Sequence, residues 1–119
     1  MAVVVGYRGE EVRRAVTDGK PAGVDVIFFE NHRYSEPNGL SVLAASPFVD
    51  ERVLLSMSDH LFLGDCIWHM TRNDRSGDES ILMIDRDIAG VFDLDDATKV
   101  LVDESGSILD IGKEIPKYN

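Results

Sequence analysis

Short apolar runs alternate with amphipathic stretches along most of this chain. AVVVGY, residues 2–7, is a β-branched run and predicts a buried strand. GEEVRRAVTDG, residues 9–19, follows as a helix: Glu10 and Glu11 suit its positive end, Gly19 can stop it, and Val12, Ala15 and Val16 share one face. GVDVIFFEN, residues 23–31, predicts a second strand. After the polar, turn-rich HRYSEP, residues 38–49 (NGLSVLAASPFV) predict a short helix with Asn38 at its cap and Pro47 limiting its extent. RVLLSMSDH, residues 52–60, predicts a third strand that surfaces at Asp59, and LGDCIWHMTRND, residues 63–74, a third helix. RSGDES is a turn. ILMIDRD (81–87), TKVLVDE (98–104) and SILDIGKEI (107–115) are three further strand candidates, the last two joined through Ser105-Gly106 as a hairpin.

Strands alternating with helices at short spacing predict an α/β fold: a mainly parallel sheet with helices on both faces, to which the later strands add an antiparallel part. With no repeat, linker or low-complexity segment, residues 1–119 read as one domain. Ligands of such folds bind beyond the carboxyl ends of the strands. The strand-end positions that can meet a ligand are therefore Gly6-Tyr7, Glu30-Asn31, Ser58-Asp59-His60 and Asp85 to Asp87.

Charge narrows the choice of ligand. Lys and Arg total 12 against 22 Asp and Glu, for a net charge of −10. With no basic cluster, such a chain repels a nucleic-acid backbone. A small anion such as a nucleotide remains compatible if a divalent metal or a few placed cations offset the field. No apolar run approaches the ~20 residues of a membrane span, and no signal peptide opens the chain, so no membrane association and a cytoplasmic location are expected. Cys66 is the sole cysteine and has no intrachain disulfide partner.

Several residues carry candidate chemistry. A carboxylate at Asp59 can bind Mg²⁺ bridging nucleotide phosphates, or it can cap the following helix or stand solvated. Asn38-Gly39 can let a flat base approach the backbone, or mark a plain helix start. Asp85 and Asp87 have the spacing of a metal-binding acid pair in nucleotide-sugar glycosyltransferases, with both carboxylates on one strand face. Asp65 and His69, four apart on a helix, could join His60 around a metal, but neither a cysteine pair nor HExxH accompanies them. Lys113, after Gly112, can hold a phosphate as a point charge or be a surface lysine. The early Gly6 and Gly9 fit neither GxGxxG nor a P-loop.

VVVGYRGEEV, NGLSVLAA, VLLSMSDHLF, DDATKV and IGKEIPKYN, in this order and spacing, resemble the sugar-phosphate nucleotidyltransferases. MSDH and the pairing of ATKV with IGKEIPKYN carry most of the likeness, which covers essentially the whole chain and is nearest to the cytidylyltransferases acting on inositol 1-phosphate and related polyol phosphates. The resemblance implies a partial Rossmann-like nucleotidyltransferase fold and transfer of a cytidylyl group from CTP to a sugar or polyol phosphate, with release of pyrophosphate. It implies Asp59 as the Mg²⁺ ligand, Asn38 and Gly39 as nucleotide-base contacts, and Lys113 as a contact to the acceptor phosphate. Members of that family carry a Gly-rich triphosphate loop before the strand matched by residues 2–7, and a second metal-binding aspartate beyond YN. An incomplete site with weak or absent turnover is therefore expected, as is either direct pairing of residues 2–7 with 53–58 or a homodimer completing the sheet. Two alternatives stay open: a non-catalytic remnant or interaction module of the same fold, and a glycosyltransferase-like domain using Asp85 and Asp87.

Overall fold

The computed structural model describes residues 1–49, 52–62, 64–72 and 79–119. The chain divides into two compact units, Met1–Ser58 and Asp59–Asn119.

In the first unit, strand β1 (Ala2–Val5) leads into helix α1 (Gly9–Gly19), which returns the chain to strand β2 (Ile27–Glu30). The strands pair in parallel, Ala2 opposite Ile27 through Val5 opposite Glu30, so their carboxyl ends lie side by side. Consecutive strand residues project to opposite faces. Phe28 lies beneath the Arg13 guanidinium of α1, 5.1 Å from the ring centre, while Phe29 meets Phe48 edge-on at 6.5 Å. Helices therefore cover both faces of this small sheet, as the alternation of elements predicts. The face of α1 carrying Val12, Ala15 and Val16 is less covered than expected: Val16 is half-buried and the other two are exposed.

The turn from β1 to α1 is tight. Gly9 N–H donates to the Gly6 carbonyl at 3.1 Å, and Arg8 takes a left-handed conformation at φ 52°. A side chain at Gly6 would place its Cβ 2.4 Å from Tyr34 Cβ, so this corner requires glycine. Helix α2 (Gly39–Ala44) packs on both strands and ends earlier than residue 49; Pro47 is the second residue of a separate 3₁₀ turn, Ser46–Phe48.

The expected third strand at 52–60 does not form. Among the described residues, 53–57 pair with no strand and are exposed, because β1 takes β2 as its neighbour and no other described strand offers its backbone. An apolar run satisfies its N–H and C=O groups as a strand only when another strand lies alongside. Direct pairing of residues 2–7 with 53–58 is therefore not how this unit closes.

The second unit contains helix α3 (Gly64–Arg72), a 3₁₀ turn (Ile88–Gly90) and the antiparallel hairpin of β3 (Lys99–Val102) and β4 (Ile108–Gly112). The hairpin forms where the sequence places it. Asp103 Oδ1 accepts from Ser105 N–H (2.8 Å), Ser105 Oγ (2.6 Å) and Ser107 N–H (2.9 Å), and Gly106 supplies the left-handed residue at φ 84°. Val102 is buried beneath it, and its backbone is held by Asn119: Val102 N–H donates to Asn119 Oδ1 at 2.8 Å, and Asn119 Nδ2 to the Val102 carbonyl at 3.1 Å. The asparagine amide thus bonds β3 as a neighbouring peptide would.

Residues 81–87 are not a strand either. Asp87 N–H donates to Asp85 Oδ1 at 2.9 Å, and Gly90 N–H to Asp87 Oδ1 at 3.2 Å, so two short acidic side chains bend the backbone locally and compete with strand pairing. Of the turn expected at 75–80, positions 75–78 lie outside the described residues. Among the described residues, no helix is long and apolar enough to cross a membrane.

Candidate functional site

The carboxyl edge of the parallel pair is built around Asn31, which is only 6% exposed. Its backbone N–H continues the strand ladder to the Val5 carbonyl at 2.8 Å. Its side-chain Oδ1 accepts from Arg33 N–H at 2.9 Å, and its Nδ2 donates to Ser41 Oγ at 3.0 Å. One buried amide thus ties the end of β2 to α2, two residues beyond Gly39. The sequence shows Asn31 as a strand end but not as a clamp; a lone Asn followed by a polar loop does not announce its partner ten residues away.

Asn38 occupies the N-cap position of α2, but in helical conformation (φ −56°, ψ −23°) and without a side-chain cap bond. Its carbonyl accepts from Ser41 N–H at 2.9 Å. Nothing lies within 4 Å of where a Cβ at Gly39 would stand. An uncommitted amide beside an open glycine backbone can receive a flat, hydrogen-bonding ligand.

In the second unit, Asp59 is exposed in a turn rather than at a strand end. Its carboxylate makes no hydrogen bond or ion pair among the described residues, and no group of three or more acids, histidines or cysteines gathers there to hold a metal. One carboxylate alone is the least that Mg²⁺, which keeps several waters and uses one or two carboxylates plus substrate phosphates, takes from a protein. It does not fit a closed zinc site, which needs about four protein ligands. Asp65, His69 and His60 form no such group among the described residues.

Asp85 and Asp87 are exposed, and each carboxylate already accepts a backbone N–H. The strand alternation that would set both on one face is absent.

Lys113 follows the last residue of β4 and is ion-paired with Asp96, whose chain segment is folded by Asp93 accepting from Asp96 N–H at 3.2 Å. Lys99, opposite Gly112 in the hairpin register, donates through Nζ to the Lys113 carbonyl at 2.7 Å and to the Ala97 carbonyl at 3.4 Å. The Lys113 ammonium, bonded to the Asp96 carboxylate and attracting it, holds that carboxyl below the usual range, and the charge of Lys99 adds to this. Lys99 was not singled out in the sequence, although its place in ATKV opposite IGK is the pairing that carries the family likeness.

Asn38-Gly39 belong to the first unit and Asp59, Lys99, Asp96 and Lys113 to the second. Together the elements form an α/β protein compatible with a partial Rossmann-like nucleotidyltransferase fold. Over all 119 residues the chain is 35% identical to a protein of Rubrobacter xylanophilus named bifunctional IPC transferase and DIPP synthase. The chain spans about a quarter (26%) of that relative's length. This similarity bears out the resemblance read from the motifs. No family model matches the chain, and no solved structure matches it.

Proposed function

We propose that this chain supplies part of a site for nucleotidyl transfer, cytidylyl transfer from CTP to a sugar or polyol phosphate. The observation that carries this reading is the 35% identity, over every residue of the chain, to a protein named as an IPC transferase. The motif resemblance supports the narrower choice of CTP and inositol 1-phosphate.

In this reading Asp59 holds the divalent cation through one carboxylate. When bound, Mg²⁺ neutralises charge on the nucleotide phosphates and lets an anionic acceptor approach a chain of net charge −10. Asn38 and the open backbone at Gly39 orient the base, and Asn31 holds that segment against the sheet. Lys113 binds the acceptor phosphate as a point charge. An acceptor phosphate oxygen forms a bond to the α-phosphorus as the bond to the pyrophosphate leaving group breaks. The protein's part is positioning and electrostatics, with no covalent enzyme intermediate. The exposed run Val53, Leu54, Leu55 and Met57 favours a second copy of the chain as the neighbour that supplies missing strand partners.

Calorimetric titration with CTP tests the central assignment. Binding should require Mg²⁺, exceed that of GTP, and weaken by about tenfold or more in Asp59→Asn, because one carboxylate is a large share of a Mg²⁺ site. CTP binding that is indifferent to both metal and Asp59 would sink the reading.

A further inference from the structure

The ion pair at the foot of the hairpin places an internal anion on the residue proposed to bind an external one. Three groups meet there. Asp96 pairs with the Lys113 ammonium. Lys99 fixes the Lys113 backbone through the 2.7 Å bond from its Nζ to the Lys113 carbonyl. A turn closed by Asp93 fixes the Asp96 backbone, with Asp96 N–H donating to Asp93 Oδ1 at 3.2 Å and Ala97 N–H to the Asp93 carbonyl at 3.1 Å. One lysine thus pairs with the carboxylate while the other, its Nζ bonded to the Lys113 and Ala97 carbonyls, adds its charge, in a chain where acids outnumber bases 22 to 12.

The geometry points to Asp96 as a displaceable counter-anion that occupies the Lys113 ammonium until a phosphomonoester dianion replaces it. This rests on the reading of Lys113 as a phosphate contact and deepens it. Three features argue for displacement rather than a permanent strut. Both partners are open to solvent, Lys113 at 53% and Asp96 at 77%, so the pair is weak and exchanges readily. Neither side chain is needed to hold the backbone there, because the Lys99 and Asp93 bonds do that. The carboxylate carries one negative charge where a phosphomonoester carries about two near neutral pH, so the arriving ligand gains more from the Lys113 ammonium than the leaving one forfeits. Asp96 also discriminates: a weak or singly charged anion competes with it poorly, and a dianion competes well.

The test is an NMR titration of the full chain with inositol 1-phosphate and, separately, inorganic phosphate, following the Lys113 side-chain and hairpin amide signals. The variants are Asp96→Asn, Lys113→Ala and Asp95→Asn. Asp95 is the adjacent acid, and its side chain makes no hydrogen bond or ion pair among the described residues. The expected result is Lys113-dependent binding that strengthens about two- to fivefold in Asp96→Asn, the range of an exposed ion pair, with a smaller gain in Asp95→Asn. Hairpin amide shifts of the free variants check that the fold is kept. Equal gains in the two aspartate variants would reduce the effect to net charge and overturn the inference. Lys113-dependent binding with no gain in Asp96→Asn overturns it too, while leaving Lys113 as a phosphate contact. Absence of Lys113-dependent binding in every variant overturns both.

Discussion

At the scale of single residues, acids do most of the distinguishable work, and they do it in different ways. Asp103 is spent on structure: the Ser105 hydroxyl first, then backbone N–H groups of Ser107, Ser105 and Gly106, hold its carboxyl below the usual range. A depressed folded pKa means its contribution to the hairpin is fully present above the unfolded aspartate value of about 3.9 and is lost as pH falls through the lower folded value. Side-chain NMR titration should place the Asp103 midpoint below that ordinary value, with Ser105 and Ser107 amide protection lost in step; a midpoint at or above it would contradict the hydrogen-bond assignment. Asp85 and Asp87 are likewise engaged by backbone N–H groups, whereas Asp59 is uncommitted. Residue identity was legible in the sequence, and so was the candidate list. What each acid bonds to was not, because Asx-type contacts depend on local backbone geometry that a one-letter pattern does not carry.

Among elements, the dividing line is whether a segment finds a partner. Residues 2–5 and 27–30 are strands because α1 returns the chain parallel to itself, and 99–102 and 108–112 because a five-residue turn closes them. Residues 52–57 have comparable β-forming composition and remain exposed. Periodicity reports which residues can form a strand; pairing decides which do. Asn31 shows the same principle for a polar group, since its burial is tolerated only because both ends of its amide are bonded. Asn31→Ala should destabilise the first unit by about 1–3 kcal/mol, the cost of leaving such partners unsatisfied, measured by urea denaturation. Ser41→Ala should cost less, because it removes one bond and not two. Unchanged stability in Asn31→Ala would mean the clamp does not hold α2 to the sheet.

The whole molecule is acidic and leaves apolar side chains uncovered, among them Leu55 at 64% and Leu61 at 99% exposed. Within the first unit the consecutive exposed residues Val53, Leu54 and Leu55 are the kind of apolar surface that association covers. Sedimentation velocity should therefore show a concentration-dependent dimer that Leu55→Asp dissociates; a monomer at every concentration would remove the second copy from the account. In the proposed function the same acidity makes a metal central, since an anionic nucleotide would gain little from this field without a cation. The most direct measurement is a titration of the ¹⁵N-labelled chain with Mn²⁺, as a paramagnetic substitute for Mg²⁺, in the presence of CTP. If Asp59 holds the cation, the amide signals around Ser58, Asp59 and His60 are lost selectively, an effect removed by Asp59→Asn and reversed by excess Mg²⁺. Broadening centred instead on Asp85 and Asp87, or spread evenly over the acidic surface, would contradict it.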